Sequence, residues 1–108
     1  MSNIRNFFIP TKFLIHEMVI FWVYILELKS FQDKESFYIG YTQDLKKRIL
    51  QHKEGKGARY TRGKQSIKLV YTESYKTRSE AMKREIELKK LNRKDKIELV
   101  RNYSPLRL

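Results

Sequence analysis

From Val19 to Leu28 the chain reads Val-Ile-Phe-Trp-Val-Tyr-Ile-Leu-Glu-Leu, an almost unbroken apolar run rich in β-branched and aromatic residues. Such a run predicts a strand covered on both faces, and hence the central strand of a sheet. Lys29 to Ser36 is polar apart from Phe31; it is long enough for a hairpin connection and too short for a crossover helix. Phe37 to Tyr41 is therefore predicted as the antiparallel neighbour, with Tyr24 and Tyr38 close across the pair. Thr42 is a candidate N-cap for a helix over residues 43 to 54, whose Leu45 and Ile49 form an i,i+4 stripe leaning on the strand.

Ile67 to Tyr75 is predicted as a third strand, with Leu69 and Tyr71 on one face and Val70 and Thr72 on the other. Thr77-Arg78-Ser79-Glu80 has the form of a capping box and opens a helix to about Leu91. A last helix is expected from Arg93 to about Arg101, capped by Asn92, with Ile97 and Val100 inward and Pro105 beyond its end. The fold class is thus α/β of the α+β kind, a three-stranded antiparallel sheet with flanking helices. Residues 1–17 show neither period and are expected as an N-terminal appendage, disordered or a start-site extension before Met18. Residues 18–102 form the domain, and 103–108 a C-terminal tail.

Charge changes the picture more than length does. The 108 residues carry 24 Lys and Arg against 12 Asp and Glu, a formal net charge of +12 that runs through the chain from Lys29 onward. A polyanion is the expected partner. Cysteine is absent, which excludes disulfides, thiolate nucleophiles and cysteine-ligated zinc. The greasiest run holds His16, Glu17 and Glu27 and suits neither a membrane span nor a signal peptide, so a soluble cytoplasmic protein is expected.

Three features stand out against this background. Arg48 and His52 lie one turn apart on the flank of the apolar stripe, not on the solvent pole, so a cation is held near the sheet. Residues 55 to 64, Gly-Lys-Gly-Ala-Arg-Tyr-Thr-Arg-Gly-Lys, make a basic loop with no acid, suited to phosphate contacts, in which Tyr60 offers a stacking ring or a hydroxyl. On the second long helix Glu85 falls inside the apolar arc of Ala81, Met82, Ile86 and Leu88. A carboxylate there needs a partner, either Lys89 at i+4 or a hard cation beside the sheet. No acidic cluster accompanies it, so at most one catalytic metal is expected, and His16 and His52 are too few for a histidine-rich zinc site.

Tyr38-Ile39-Gly40, with arginine eight positions after the glycine and histidine four beyond, resembles the GIY-YIG nuclease family, in its small stand-alone branch. The first motif of that family ends in tyrosine, here Tyr24, although Trp22 and Val23 replace its glycine and isoleucine. The resemblance runs from residue 19 to about 101. It implies metal-dependent hydrolysis of DNA phosphodiesters, in repair or recombination, with RNA not excluded as a substrate. Glu85 would bind a single Mg²⁺ or Mn²⁺, Arg48 would stabilise the transition state, and Tyr24 or Tyr38 would orient or deprotonate the attacking water. His52 would serve as relay or phosphate contact, Gly40, Arg59, Tyr60, Arg62 and Lys64 would contact substrate, and Asn92 is a candidate polar residue near the ion. The alternatives are a non-catalytic nucleic-acid-binding module on the same basic face, whose specificity a protein partner supplies, and a scaffold docking through Phe7, Phe8 and Phe13.

Overall fold

The run expected at the centre does lie there. In the computed structural model, which describes residues 19–103, β1 (Phe21–Lys29) is flanked by β2 (Glu35–Thr42) and β3 (Ser66–Tyr75), in the order β2-β1-β3. Both pairs are antiparallel. Among the described residues three α-helices, α1 (Leu45–Lys53), α2 (Arg78–Lys90) and α3 (Arg93–Arg101), and a short 3₁₀ helix (Arg59–Thr61) accompany the sheet.

Because successive side chains of a strand point to opposite faces, an apolar run with both faces covered feeds two cores at once. On one face Tyr24, Leu26 and Leu28 are buried against Leu45 and Ile49 of α1. On the other, Val23 and Ile25 join Ile39 and Tyr71 under Ala81 and Leu88 of α2 and Leu99 and Val100 of α3. Each fully buried aliphatic or aromatic side chain contributes on the order of 1.5–3 kcal/mol, so β1 is the energetic centre of the domain. Among the described residues no helix is long and apolar enough to cross a membrane.

Several local expectations are corrected. The N-cap of α1 is Asp44, whose carboxylate accepts the Lys47 amide at 3.1 Å, while Thr42 accepts the Asp44 amide one step earlier. Leu69 and Tyr71 do not share a face. The register of β1 with β3 shifts between Ile25 and Leu26, so Tyr71 pairs with Ile25 and Leu69 with Leu26, with Val70 left between them as a bulge. Val70 and Tyr71 then serve the α2 side. Met82 and Ile86 are 42% and 52% exposed, so the buried face of α2 is narrower than its apolar residues suggest. It is Leu99, not Ile97, that joins Val100 in the core. Tyr103 also belongs to this core, its ring 5.0 Å from that of Tyr71 and its hydroxyl 2.6 Å from Thr72 Oγ1. The expected appendage over residues 1–17 and the tail after Tyr103 lie outside the described residues.

The α2-facing side also holds a polar hub that the sequence did not announce. Glu73 accepts hydrogen bonds from the hydroxyls of Tyr71 and Tyr75, and Arg84 of α2 donates to it through Nε at 2.9 Å and Nη2 at 3.0 Å. Burial alone would raise the Glu73 carboxyl, but the Arg84 and tyrosine hydrogen bonds outweigh it and hold it below its ordinary range. Both tyrosines are pushed up to about 12, by burial first and then by the carboxylate they face.

Candidate active site

Antiparallel register brings the tyrosines to one face. Tyr24 of β1 lies opposite Gly40 of β2, and Tyr38 lies opposite Leu26, so all four positions face α1. The two tyrosine rings are 6.3 Å apart. Tyr38 opens onto a cleft of about 620 Å³, lined also by Gly40, Arg48 of α1 and Glu85 of α2, and Tyr24, fully buried, closes its wall from behind. Gly40 is required by close packing: a Cβ there would stand 2.6 Å from the Tyr24 hydroxyl oxygen. The glycine thus makes room for Tyr24 itself.

His52 is not in the cleft wall. It is buried behind Tyr24, 1% exposed, with Nε2 at 2.8 Å from the Tyr24 hydroxyl and Nδ1 at 2.8 Å from Thr61 Oγ1. That position leaves it no direct access to a phosphate. Burial, reinforced by the Arg48 charge, holds the imidazole below its ordinary value of 6.5, so it is neutral at pH 7. Tyr24 is pushed up to about 12 by burial, against the opposing pull of Arg48. The Arg48 guanidinium alone therefore does not hold Tyr24 as a phenolate.

Arg48 sits one turn before His52 and donates from Nη1 to Gln51 Oε1 at 3.1 Å. Partial burial disfavours its charge, but hydrogen bonding and charge interaction with Tyr24 and Tyr38 more than offset this and keep it fully protonated. Helix α1 thus aims a fixed cation at the mouth of the tyrosine pair while keeping its histidine behind them.

Glu85 enters from the opposite side of the sheet edge, on the α2 face that carries Ala81 and Leu88. Its side chain is 17% exposed and lies 3.6 Å from Lys89, so the i,i+4 partner is present. Lys89 is more than half exposed, which makes the pair a weak hold on this half-buried carboxylate at the cleft wall. A divalent ion placed at Glu85 would need waters and phosphate oxygens to complete its shell, an environment that would suit Mg²⁺. Asp44 also lines the cleft, but its carboxylate caps α1. Among the described residues no group of three His, Asp or Glu could hold a metal without such outside ligands.

The basic loop contributes unevenly. Tyr60 is 52% exposed, stacked on Tyr38 at 6.5 Å between centroids and 23° between planes, with Lys64 Nζ 5.0 Å above its ring. Arg59 and Arg62 are exposed and lie outside the cleft wall. Asn92 is the N-cap of α3, accepting the Asp95 amide at 2.8 Å, and likewise lies outside the cleft wall. Sequence reasoning missed Thr61 and Gly57, which hold His52, and Lys47, Gln51 and Arg78, which line the cleft. The spacing of Lys47 and Gln51 around Arg48 on one helix was the available signal for those two. Thr61 and Gly57 carried none.

The profile of the GIY-YIG catalytic domain family matches residues 20–98. The UPF0213 protein of Staphylococcus saprophyticus is 42% identical over 79 residues, covering 73% of this chain and 92% of that protein. The UPF0213 protein of Clostridium perfringens is 46% identical over 83 residues, 77% of this chain and 85% of that protein. The solution NMR structure of the UPF0213 protein BH0048 from Bacillus halodurans is 43% identical and covers 76% of this chain and 83% of that chain, with a TM-score of 0.46.

Proposed function

Since the chain belongs to the GIY-YIG catalytic domain family, a nuclease family, we propose that its cleft hydrolyses DNA phosphodiester bonds with the help of one divalent cation. One observation carries this: Tyr24 from β1, Tyr38 from β2, Arg48 from α1 and Glu85 from α2 converge on a single cleft in a strongly basic domain. Four elements contribute two phenols, a guanidinium and a carboxylate, and packing alone requires none of the four to be polar.

Their roles follow from charge and position. Arg48 offers a permanent cation and a planar donor fork to the charge that builds on the phosphoryl oxygens. Tyr24 receives a proton from the attacking water as its own passes to the neutral His52 behind it, so no free phenolate is needed. Tyr38, half-buried at the front of the cleft, orients that water. Glu85 would hold Mg²⁺ or Mn²⁺, and the ion would supply Lewis acidity at the phosphate. Tyr60, Arg59, Arg62 and Lys64 grip the strand around the scissile bond by stacking and phosphate contact.

Labelled single-stranded, duplex and branched DNA, with an RNA control, incubated with Mg²⁺ or Mn²⁺, tests this directly. Cutting by the wild type that Arg48→Ala and Glu85→Ala both lose, with binding retained, is the expected result. Tight, salt-dependent binding with no cutting on any substrate would replace the nuclease by a nucleic-acid-binding module.

A further inference from the structure

His52 is gripped at both ring nitrogens, and a count of protons decides which nitrogen carries one. Thr61 has a single hydroxyl proton, and its Oγ1 lies 2.8 Å from the carbonyl oxygen of Ala58, which can only accept. That proton is therefore committed to Ala58. Toward His52 Nδ1, also 2.8 Å away, the same oxygen must accept, so Nδ1 bears the hydrogen. In a neutral imidazole the other nitrogen then presents a lone pair, and the Tyr24 hydroxyl at 2.8 Å from Nε2 must donate to it.

We propose that Thr61 is a positioning residue of this site: it fixes His52 in the Nδ1–H tautomer and so keeps Nε2 open to receive the Tyr24 proton. The proton transfer presupposes the nuclease chemistry above; the tautomer does not. In the full step one O–H bond of the attacking water breaks and its proton moves to the Tyr24 oxygen, while the original Tyr24 proton moves to His52 Nε2. The water oxygen bonds to phosphorus, the bond from phosphorus to the departing sugar oxygen breaks, and that oxygen takes a proton from solvent. His52 ends as an imidazolium whose Nδ1–H still points at Thr61.

The loop is built around this ring in a second way. A Cβ on Gly57 would stand 2.4 Å from His52 Nδ1 and 2.9 Å from its Cγ, so glycine lets the backbone lie against the imidazole. Thr61 itself is fully buried, although the loop's cations Lys56, Arg59 and Arg62 around it are exposed. Tyr24 from β1, Tyr38 from β2 at 5.1 Å between centroids, and Arg48 from α1 also face the ring, and the hydrogen bond of Nδ1 goes to Thr61. The loop read from its composition as a substrate-binding segment thus has an inward half that sets the state of the buried histidine.

The test is the ¹⁵N spectrum of the two histidine rings at pH 7.5, assigned with His52→Gln, in the wild type, Thr61→Val and Thr61→Ser, alongside cleavage kinetics. Nδ1–H is expected in the wild type, a shift toward Nε2–H with a fall in kcat of roughly tenfold or more and little change in KM in Thr61→Val, and return of both in Thr61→Ser. A wild-type His52 found as Nε2–H overturns the proposal without recourse to any variant, which guards against a Thr61→Val protein that fails to fold. Thr61→Val with unchanged tautomer and wild-type kcat overturns it as well. The expected tautomers in proteins that never cleave, wild type included, would support the tautomer lock and overturn the nuclease chemistry and its proton transfer.

Discussion

The Tyr24 hydroxyl and His52 Nε2, 2.8 Å apart, form a donor–acceptor pair between the central strand and helix α1, and neither residue could do its part alone. Tyr24, pushed up to about 12, gives up its proton only if an acceptor waits behind it. Tyr24→Phe keeps the ring and removes the path, so cleavage should fall by roughly 10²–10⁴, with a loss of about 1–3 kcal/mol for the buried His52 Nε2 left without a partner. His52→Gln should fall by a comparable factor, and the double variant should be hardly worse than either, because the two act as a unit. Single-turnover rates on one saturating substrate measure all three.

The same pair makes stability depend on pH. His52 titrates near 6.5 when unfolded and lower when folded, owing first to burial and then to Arg48. Below 6.5 the unfolded chain takes up a proton that the native state refuses, so the contribution is fully present above pH 6.5 and is lost as pH falls through the folded value. Urea midpoints of the wild type should therefore drop between pH 7 and pH 5 more steeply than those of His52→Gln, with His16→Gln as the control for the other histidine. Equal slopes in wild type and His52→Gln would show that the ring titrates normally.

Gly40→Ala addresses the same geometry from β2. Its new Cβ would meet the Tyr24 oxygen at 2.6 Å and Cζ at 2.8 Å, and the ring is hemmed in by the core on its other side. The phenol must shift from its place against His52 Nε2 or the strands must part. Loss of about 1–3 kcal/mol is expected, with a disproportionate fall in kcat relative to equally destabilised core variants such as Leu26→Val. Thermal melts paired with kinetics separate the two effects.

What was legible in the sequence was what period and composition encode. The doubly covered β1, its hairpin to β2 and the helix stripe of Leu45 and Ile49 follow from apolar spacing, and the sheet places them as expected. Arg48 and Glu85 were visible because each is a charge on a face that should be apolar. The bulge at Val70 was not, since inserting one residue leaves a local pattern that still alternates. Thr61, Gly57 and the Glu73–Arg84 hub were invisible for another reason: each acts through a partner distant in sequence, and a threonine or glycine in a polar loop looks like a turn until the ring it touches is known.

That hub gives a prediction independent of catalysis. Replacing Glu73 by Ala leaves Arg84 with Glu87 as its remaining partner and strands two tyrosine hydroxyls beneath α2, at a cost of about 2 kcal/mol for this partly exposed pair. The Glu73 carboxyl is held below its ordinary value, so this stabilisation is complete above pH 4.5 and is lost as pH falls through the folded value. Glu73→Ala should lower the urea midpoint at pH 7 yet leave kcat near wild type at temperatures well below the melt, because the hub faces α2 and not the cleft.

Tyr60 separates recognition from chemistry. Its ring rests on Tyr38 beside the cleft, is about half exposed, and has Lys64 over it. In the proposed complex a base would stack on this ring as Lys64 moves from over it to a phosphate. Beside it a small hollow of about 220 Å³ also holds Arg93 and Lys96 of α3, which extend the positive surface around the edge of β2. Tyr60→Ala should weaken binding by about 1–3 kcal/mol, while Tyr60→Phe, which keeps the ring, should bind nearly as the wild type. Removing Arg93 and Lys96 together should instead flatten the plot of log affinity against log salt, by roughly 0.7–0.9 for each phosphate no longer neutralised. Fluorescence anisotropy of a labelled oligonucleotide across a salt series, on the Glu85→Ala background so that nothing is cut, measures both. If Tyr60→Phe behaves like Tyr60→Ala, the hydroxyl and not the ring is what the substrate meets.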